Sequence, residues 1–119
     1  MEVTGKVASG LGEGSKYIKI YKSRIEEKLG ITPYDGTLNI KHKSDKLNFE
    51  GLKKIKIDKF NGFGEVAFIK CIIKKGEIKT PGYIAIPEKS INEFIEIISE
   101  SNLREKMNLS DGDFVTLII

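Results

Sequence analysis

The chain has 119 residues, of which 39% are hydrophobic and 31% charged, the balance of one ordinary globular domain rather than of a disordered or low-complexity protein. The 20 lysines and arginines against 17 aspartates and glutamates give a net charge of +3, which suits an anionic ligand without demanding nucleic acid. The single cysteine, Cys71, excludes an internal disulfide, and no apolar run approaches the length of a membrane span. We therefore expect a cytoplasmic protein without a leader peptide, in which Cys71 is a small buried hydrophobic residue rather than a nucleophile.

The first motif is a stretch of three alternating glycines, Ser-Gly-Leu-Gly-Glu-Gly-Ser at residues 9–15, which we call the glycine stretch. Residues 3–8 before it and residues 17–21 after it both have the character of strands. Such a density of glycine indicates either positive φ angles or a very close approach of the backbone to another group. Backbone N–H groups released by such a loop can bind a phosphate.

The spacing of these glycines fits neither a dinucleotide-binding motif nor a P-loop, both of which open a helix. Two interpretations remain. One is a glycine-rich hairpin over the phosphates of a nucleotide, of the kind that protein kinases use with another spacing. The other is a mobile turn without a ligand.

A short helix is predicted over residues 24–29. Ser23 and Glu26 have the spacing of a capping box, Ile25 lies on the apolar face, and Gly30 stands where a helix-ending glycine belongs.

Turn chemistry then appears at residues 33–36, Pro-Tyr-Asp-Gly, and predicts a strand over 37–40. Because side chains alternate across a strand, Thr37 and Asn39 project from one face. They are either ordinary polar residues on a solvated face or a pair of neutral oxygen ligands.

The remaining chain alternates strands with turns. Residues 41–49 are predicted to form a polar loop with His42 in solvent, and Asn61-Gly62 is a turn signal. Pro81 indicates an edge or a bulge in its strand. Further strands are predicted over 53–57, 65–73, 78–86, 94–98 and 114–119, with one or two helical turns over 103–107 and a turn over 110–113.

The stretch 94–98 is ambiguous, since its isoleucines fit a helix as well as a strand, and we favour the strand. Six or more short strands with little helix predict a small, mainly β barrel.

Four separated stretches together resemble one known family, the archaeal CTP-dependent riboflavin kinases. They are residues 9–14 (Ser-Gly-Leu-Gly-Glu-Gly), 33–39 (Pro-Tyr-Asp-Gly-Thr-Leu-Asn), 95–98 (Ile-Glu-Ile-Ile), and 103–105 (Leu-Arg-Glu) followed by Leu109-x-Asp-Gly-Asp. Their order and spacing agree with the family nearly end to end. The combination is much more specific than any one piece.

The resemblance implies a six-stranded cradle-loop β-barrel with short helices, in which residues 1–119 form a single catalytic domain without the N-terminal DNA-binding domain of some relatives. It implies the transfer of the γ-phosphoryl group of CTP to the 5′-hydroxyl of riboflavin, giving FMN and CDP. The expected partners are these small molecules, with no nucleic acid and no membrane, and we expect a monomer.

The resemblance also assigns roles to residues. Nucleotide binding falls on two segments: Gly10, Leu11, Gly12, Glu13, Gly14, Ser15 and Lys16, and then Ser101, Asn102, Leu103 and Arg104. Thr37 and Asn39 become ligands of Mg²⁺, which prefers oxygen and would receive its remaining ligands from the triphosphate and water, so metal and nucleotide are expected to bind together.

Ser90 and Glu96 become contacts of riboflavin or FMN, and Glu96 is also the candidate catalytic base. As an alternative, Glu96 is a surface glutamate between buried isoleucines. Arg104 either contacts the nucleotide or only pairs with nearby acidic groups.

A basic, β-rich barrel is also compatible with nucleic-acid binding, and with a barrel that binds only proteins. The basic residues are scattered, however. Phe60, Phe63, Phe68 and Phe94 are predicted to lie among apolar neighbours rather than on a stacking platform.

Overall fold

The computed structural model describes residues 1–10, 14–42, 48–88 and 94–119. In these ranges the chain forms seven strands and two helices, which confirms a mainly β protein. In chain order the elements are β1 (Glu2–Ala8), α1 (Gly14–Leu29), β2 (Leu38–His42), β3 (Ile55–Ile57), β4 (Val66–Lys75), β5 (Ile78–Pro87), β6 (Phe94–Ile98), α2 (Leu103–Lys106) and β7 (Phe114–Ile118).

The strands form one antiparallel sheet in the order β3-β4-β5-β6-β2-β1-β7. β7 pairs with β1 and also with β4. Following the pairings from β4 through β5, β6, β2, β1 and β7 therefore leads back to β4. Among the described strands, β3 pairs with β4 alone. β2 lies between β1 and β6, and the register aligns Ala8, Asn39 and Glu96 across the three strands. This row becomes the centre of the candidate site.

The sheet has an apolar cluster on each side. β4 contributes Phe68 to one cluster and Ile69 and Cys71 to the other, as expected for a strand whose two faces are both buried. Cys71 is 3% exposed, and burial raises the pKa of its thiol to about 12, which confirms its predicted role as a buried apolar residue. Helix α1 covers the face that carries Phe68.

The strand predicted over residues 17–21 is wrong, because these residues belong to the 16-residue helix α1. Ile18, Tyr21 and Ile25 are its buried residues, and they recur at the three- and four-residue spacing of one helical face. The alternating pattern of residues 17–21 is compatible with a strand and with a helix. The packing of Ile18, Tyr21 and Ile25 in the apolar cluster stabilises the helix.

The helix predicted over 24–29 is therefore only the second half of α1. Ser23 lies inside α1 and does not cap it. Gly30 does end the helix, with φ of +69° and its N–H donating to the Glu26 carbonyl at 3.0 Å, as predicted.

One further prediction needs correction. His42 is the half-buried last residue of β2, paired with Gly5, rather than a loop residue in solvent. Pro81 lies in β5, which has partners on both sides. The β6 pairing begins only at Tyr83, so at Pro81 itself only β4 lies alongside, which agrees with the edge position predicted for this proline.

The other elements agree with the sequence patterns within one to three residues. Residues 94–98 are a strand, and Asn61 and Gly62 form a turn with φ of 46° and 82°. In the part of the chain that the structure describes, neither helix has the length and apolar character needed to cross a membrane.

Candidate functional site

Three polar side chains lie together where β2 meets β6, and we call Thr37, Asn39 and Glu96 the polar row. Thr37 precedes β2, and its Oγ1 donates a hydrogen bond to Glu96 Oε1 at 2.9 Å. Asn39 is the direct cross-strand partner of Glu96, so the two side chains share a face of the sheet. All three residues are half-buried. A hydroxyl, an amide and a carboxylate are thus held side by side.

The two ends of the glycine stretch lie against this row. A Cβ atom at Gly10 would overlap the side-chain amide of Asn39, and one at Gly14 would overlap the hydroxyl of Thr37. Neither glycine has a positive φ. Of the two reasons for glycine that the sequence left open, close approach is therefore the one that applies at Gly10 and Gly14.

A helix, not a strand, follows the glycine stretch. α1 begins at Gly14, so its first N–H groups, which lack intrahelical partners, start beside Thr37. The N-terminus of a helix carries partial positive charge and attracts anions. Although a helix follows, the stretch still lacks the Gly-Lys-Ser/Thr of a P-loop.

The first turn of α1 carries Lys16 and no acidic residue. A lysine here is unfavourable for the isolated helix, because its charge has the same sign as the helix terminus. A bound anion reverses that effect. Ser15 lies in the same turn, so two of the predicted nucleotide contacts flank the helix start.

The polar row offers a donor set that fits magnesium. The Thr37 hydroxyl, the Asn39 amide and the Glu96 carboxylate carry the oxygen atoms that Mg²⁺ prefers. Within the described ranges no group of three or more His, Cys, Asp or Glu side chains is placed to hold a metal ion. The row therefore fits an ion that arrives with phosphate oxygens better than one bound by protein alone.

A cavity of about 250 Å³ opens beside Thr37, and we call it the polar cavity because polar residues outnumber apolar ones in its lining. Its other walls are the turn before β2 and the residues at the start of α2, and it includes Tyr34–Leu38, Ile97, Ser99 and Ser101–Arg104. Thr37, which the resemblance assigns to magnesium, and the segment Ser101–Arg104, which it assigns to the nucleotide, thus line one cavity. Asn102 supports that wall twice, since its Oδ1 accepts from Glu105 N–H and its Nδ2 donates to the Tyr34 hydroxyl.

Arg104 contacts protein groups near the glycine stretch. Its guanidinium donates to the Ala8 carbonyl at 3.2 Å and pairs with Asp111 at 2.6 Å. Asp111 also accepts a hydrogen bond from the Ser9 hydroxyl, and the Ser9 and Arg104 contacts hold the pKa of its carboxyl below the usual range. The pairing with an acidic group that we considered as an alternative is present. Arg104 also lines the polar cavity, so a nucleotide contact stays a prediction.

A larger cleft of about 860 Å³ lies between α1 and the turn at residues 59–65, and we call it the aromatic cleft. Tyr17, Tyr21, Phe60 and Phe63 line it, with ring centroids 4.7 Å apart for Tyr17 and Tyr21 and 5.1 Å for Tyr21 and Phe60. Lys59 and Glu88, both also lining residues, pair at 3.0 Å.

The prediction that Phe60 and Phe63 lie among apolar neighbours is confirmed for Phe60, which is half-buried and packs against the apolar cluster under α1, and it is wrong for Phe63. They flank the Asn61-Gly62 turn as bridge partners, and this turn presents both rings to the cleft. Phe63 is 40% exposed. The phenylalanines on either side of the turn signal were the clue in the sequence, but their tyrosine partners come from a helix that the sequence did not predict.

Comparison with known proteins gives the family. The family model CTP-dep_RFKase, described as "Domain of unknown function DUF120", matches residues 7–119. The chain belongs to the CTP-dependent riboflavin kinase family. The predicted resemblance is confirmed.

Curated archaeal proteins named riboflavin kinase agree with this assignment. The protein of Archaeoglobus fulgidus is 38% identical over 97% of this chain and 53% of its own length. The protein of Pyrobaculum aerophilum is 41% identical over 100% of this chain and 60% of its own length. The chain thus spans between half and two thirds of these two relatives. It covers 95% of the protein of Methanosphaera stadtmanae, at 37% identity.

Several residues assigned from the family lie outside the described residues: Leu11, Gly12, Glu13 and Ser90. Ser15 and Lys16 lie in the first turn of α1, and the structure brings the remaining residues into two neighbouring groups. Gly10, Gly14, Thr37, Asn39 and Glu96 form one, and Ser101–Arg104 form the other, with Thr37 common to both.

Proposed function

We propose that this chain is a riboflavin kinase that transfers the γ-phosphoryl group of CTP to the 5′-hydroxyl of riboflavin, giving FMN and CDP. Family membership and the names of the curated relatives support the reaction class. The observation that carries the proposal is the hydrogen bond from Thr37 to Glu96, which lies against the glycines and beside the polar cavity.

The scaffold of this enzyme is a six-stranded cradle-loop β-barrel. The pairing of β7 with β4 supports this proposal, because it joins the two ends of the series β4-β5-β6-β2-β1-β7. β3 is then an addition outside the ring. We further propose that residues 1–119 act as one catalytic domain of a cytoplasmic monomer, and the family match over residues 7–119 supports the single domain.

The nucleotide occupies the glycine stretch and the polar cavity. Residues Gly10 to Lys16 and the free N–H groups of the first turn of α1 bind the phosphates, and the positive charge of Lys16 adds to this. The wall formed by Ser101 to Arg104 binds the cytidine part. A donor or acceptor left without a partner discriminates strongly between bases, so backbone groups of this wall would select CTP over ATP.

Thr37 and Asn39 hold magnesium together with the triphosphate. What such an ion supplies when bound is neutralisation of charge on the phosphate oxygens. The protein residues keep the oxygen donors in place, since Thr37 is oriented by Glu96 and Asn39 by the two neighbouring strands.

Riboflavin places its planar ring in the aromatic cleft and its 5′-hydroxyl at Glu96. Aromatic side chains suit a flat, largely apolar ring, and the volume of about 860 Å³ is in the range of small-molecule sites. Ser90 provides a further contact to the flavin.

In the reaction, the Glu96 carboxylate accepts the proton of the 5′-hydroxyl as its oxygen attacks the γ-phosphorus. A bond forms between that oxygen and phosphorus, and the bond between phosphorus and the oxygen that bridges to the β-phosphate breaks. CDP leaves with the electron pair. The main task of the protein is to align the two substrates.

The test is to incubate the protein with riboflavin, Mg²⁺ and either CTP or ATP, and to separate FMN from riboflavin by chromatography. FMN formation with CTP, and at least tenfold less with ATP, is expected. The alternative of a nucleic-acid-binding module is supported instead if no FMN forms and an oligonucleotide binds in a salt-sensitive manner.

A further inference from the structure

The hydroxyl of Tyr17 is buried without a partner. Its oxygen atom is inaccessible to solvent, and no hydrogen-bond partner for it exists among the described residues. Buried hydroxyl groups are normally hydrogen-bonded, because an unpaired one loses its interactions with water and gains nothing. The Tyr17 hydroxyl therefore needs an explanation, and an absent ligand is one.

Tyr21, one turn further along α1, provides a direct contrast. Both rings line the aromatic cleft. The Tyr21 hydroxyl donates to the Gly64 carbonyl at 2.8 Å, so its position is explained by the fold alone. Of these two tyrosines on one helix face, the protein thus satisfies the hydroxyl of Tyr21 and not that of Tyr17.

The unpaired hydroxyl is near enough to Glu96 for the charge of that carboxylate to act on it. Burial raises the pKa of Tyr17 strongly, and the nearby charge of Glu96 raises it further, whereas the acidic neighbour that raises the pKa of Tyr21 is Glu88. Gly14, one turn before Tyr17 on the same helix, lies against Thr37, which is bonded to Glu96. Tyr17 therefore joins the aromatic cleft to the polar row.

A ligand that occupies both places must pass this hydroxyl. In the proposed function, the acceptor has a planar ring for the cleft and a terminal hydroxyl for Glu96, joined by a flexible chain of hydroxyl-bearing carbons. Such a polyol chain offers both donors and acceptors to a tyrosine.

We propose that the Tyr17 hydroxyl is a binding and positioning group for the polyol chain of the acceptor, which it holds so that the terminal hydroxyl reaches Glu96. This proposal rests on the proposed function and adds to it a residue that recognises the chain rather than the ring. The hydroxyl gains on binding the partner that it lacks in the free protein.

The test compares the full chain with Tyr17→Phe, which keeps the ring and removes the oxygen. Riboflavin and lumiflavin are titrated by quenching of flavin fluorescence, because lumiflavin has the same ring with a methyl group in place of the polyol. We expect the Kd for riboflavin to rise about fivefold, which corresponds to one hydrogen bond, and the Kd for lumiflavin to stay within twofold.

A structural role for the hydroxyl predicts another pattern. Because the hydroxyl is unpaired in the free protein, Tyr17→Phe should leave Tm unchanged or raise it, whereas Tyr21→Phe, which removes a satisfied hydrogen bond, should lower it. Tyr83→Phe is the control for flavin binding, since Tyr83 lies in β5 and lines neither cavity.

The proposal is overturned if Tyr17→Phe changes the two flavin affinities equally, if it changes neither, or if it lowers Tm as Tyr21→Phe does. Its failure is distinguishable from failure of the proposed function. If only the Tyr17 proposal fails, the wild-type chain still forms FMN from CTP. If the proposed function fails, the wild-type chain neither binds riboflavin nor forms FMN.

Discussion

The aromatic cleft and the polar cavity differ in size, lining and origin. The cleft, about 860 Å³, lies between α1 and a turn, and four aromatic rings line it. The cavity, about 250 Å³, lies between the turn before β2 and the start of α2, and its lining mixes polar residues with Leu38, Ile97 and Leu103. One suits a flat apolar ring and the other suits part of a nucleotide.

Their shared boundary is more informative than either alone. Thr37 lines the cavity, Glu96 accepts its hydrogen bond, and Tyr17, whose pKa the charge of Glu96 helps to raise, lines the cleft. A transfer enzyme has to bring two different substrates to one point. This arrangement links two sites of different chemistry through the Thr37–Glu96 hydrogen bond and the effect of the Glu96 charge on Tyr17.

The largest effect is expected at that boundary. Glu96→Gln keeps an oxygen that can accept from Thr37 but removes the proposed base, so kcat should fall about 1,000-fold while both substrates bind within about twofold of wild type. Stopped assays for FMN together with binding titrations measure this. Glu27→Gln, an exposed change on α1, is the control for loss of one negative charge. Unchanged turnover in Glu96→Gln would exclude the catalytic base.

A second change tests the fit of the glycine stretch on the nucleotide side. Gly14→Ala places a methyl group against the Thr37 hydroxyl and should displace that hydroxyl. We expect kcat/KM for CTP to fall about 100-fold while the circular dichroism spectrum stays native.

Gly30→Ala is the matched control at the other end of the same helix. Its Cβ would enter open space at φ of +69°, so it should cost about 1 kcal/mol, or about 4 °C in Tm, with activity retained. If the two variants lose activity equally, close approach to Thr37 is not what Gly14 provides.

A change of Lys16 tests whether the start of α1 binds the nucleotide or the flavin. Lys16 lines the aromatic cleft, but it also lies in the first turn of α1, where we propose that the phosphates bind. Lys16→Gln should raise the Kd for CTP about fivefold at low salt and less at high salt, with riboflavin affinity unchanged. Tm should stay the same or rise. Lys19→Gln, exposed on the next turn, is the control, and a larger effect on riboflavin than on CTP would reverse the assignment.

The smallest effect is expected from Cys71, which lines neither cavity. Burial raises the pKa of its thiol from 9.0 to about 12, so the unfolded chain ionises first as pH rises and stability is lost between those values. The free energy of unfolding of wild type relative to Cys71→Ala should be about 1.4 kcal/mol lower at pH 10 than at pH 7. Urea titrations at both pH values measure the difference, and a constant difference would contradict it. FMN formation at pH 7 should not change.

Much of the site was predictable because its motifs are local. The shared face of Thr37 and Asn39 follows from the alternation of a strand, and Gly30 and Asn61-Gly62 are recognisable from their backbone requirements. The aromatic cleft was not predictable in this way. Tyr17 and Tyr21 were assigned to a strand, and a strand would have placed both on one face without bringing them to Phe60.

The sequence by itself determined the strand-rich class, the turns and the family, since these depend on residues close together in the chain and on motifs in a specific order. Only the tertiary structure decided that residues 14–29 form one helix, because the alternating pattern at its start is equally compatible with a strand until Ile18, Tyr21 and Ile25 pack on the sheet. The alignment of Ala8, Asn39 and Glu96 was decided in the same way, since pairing between distant strands sets it.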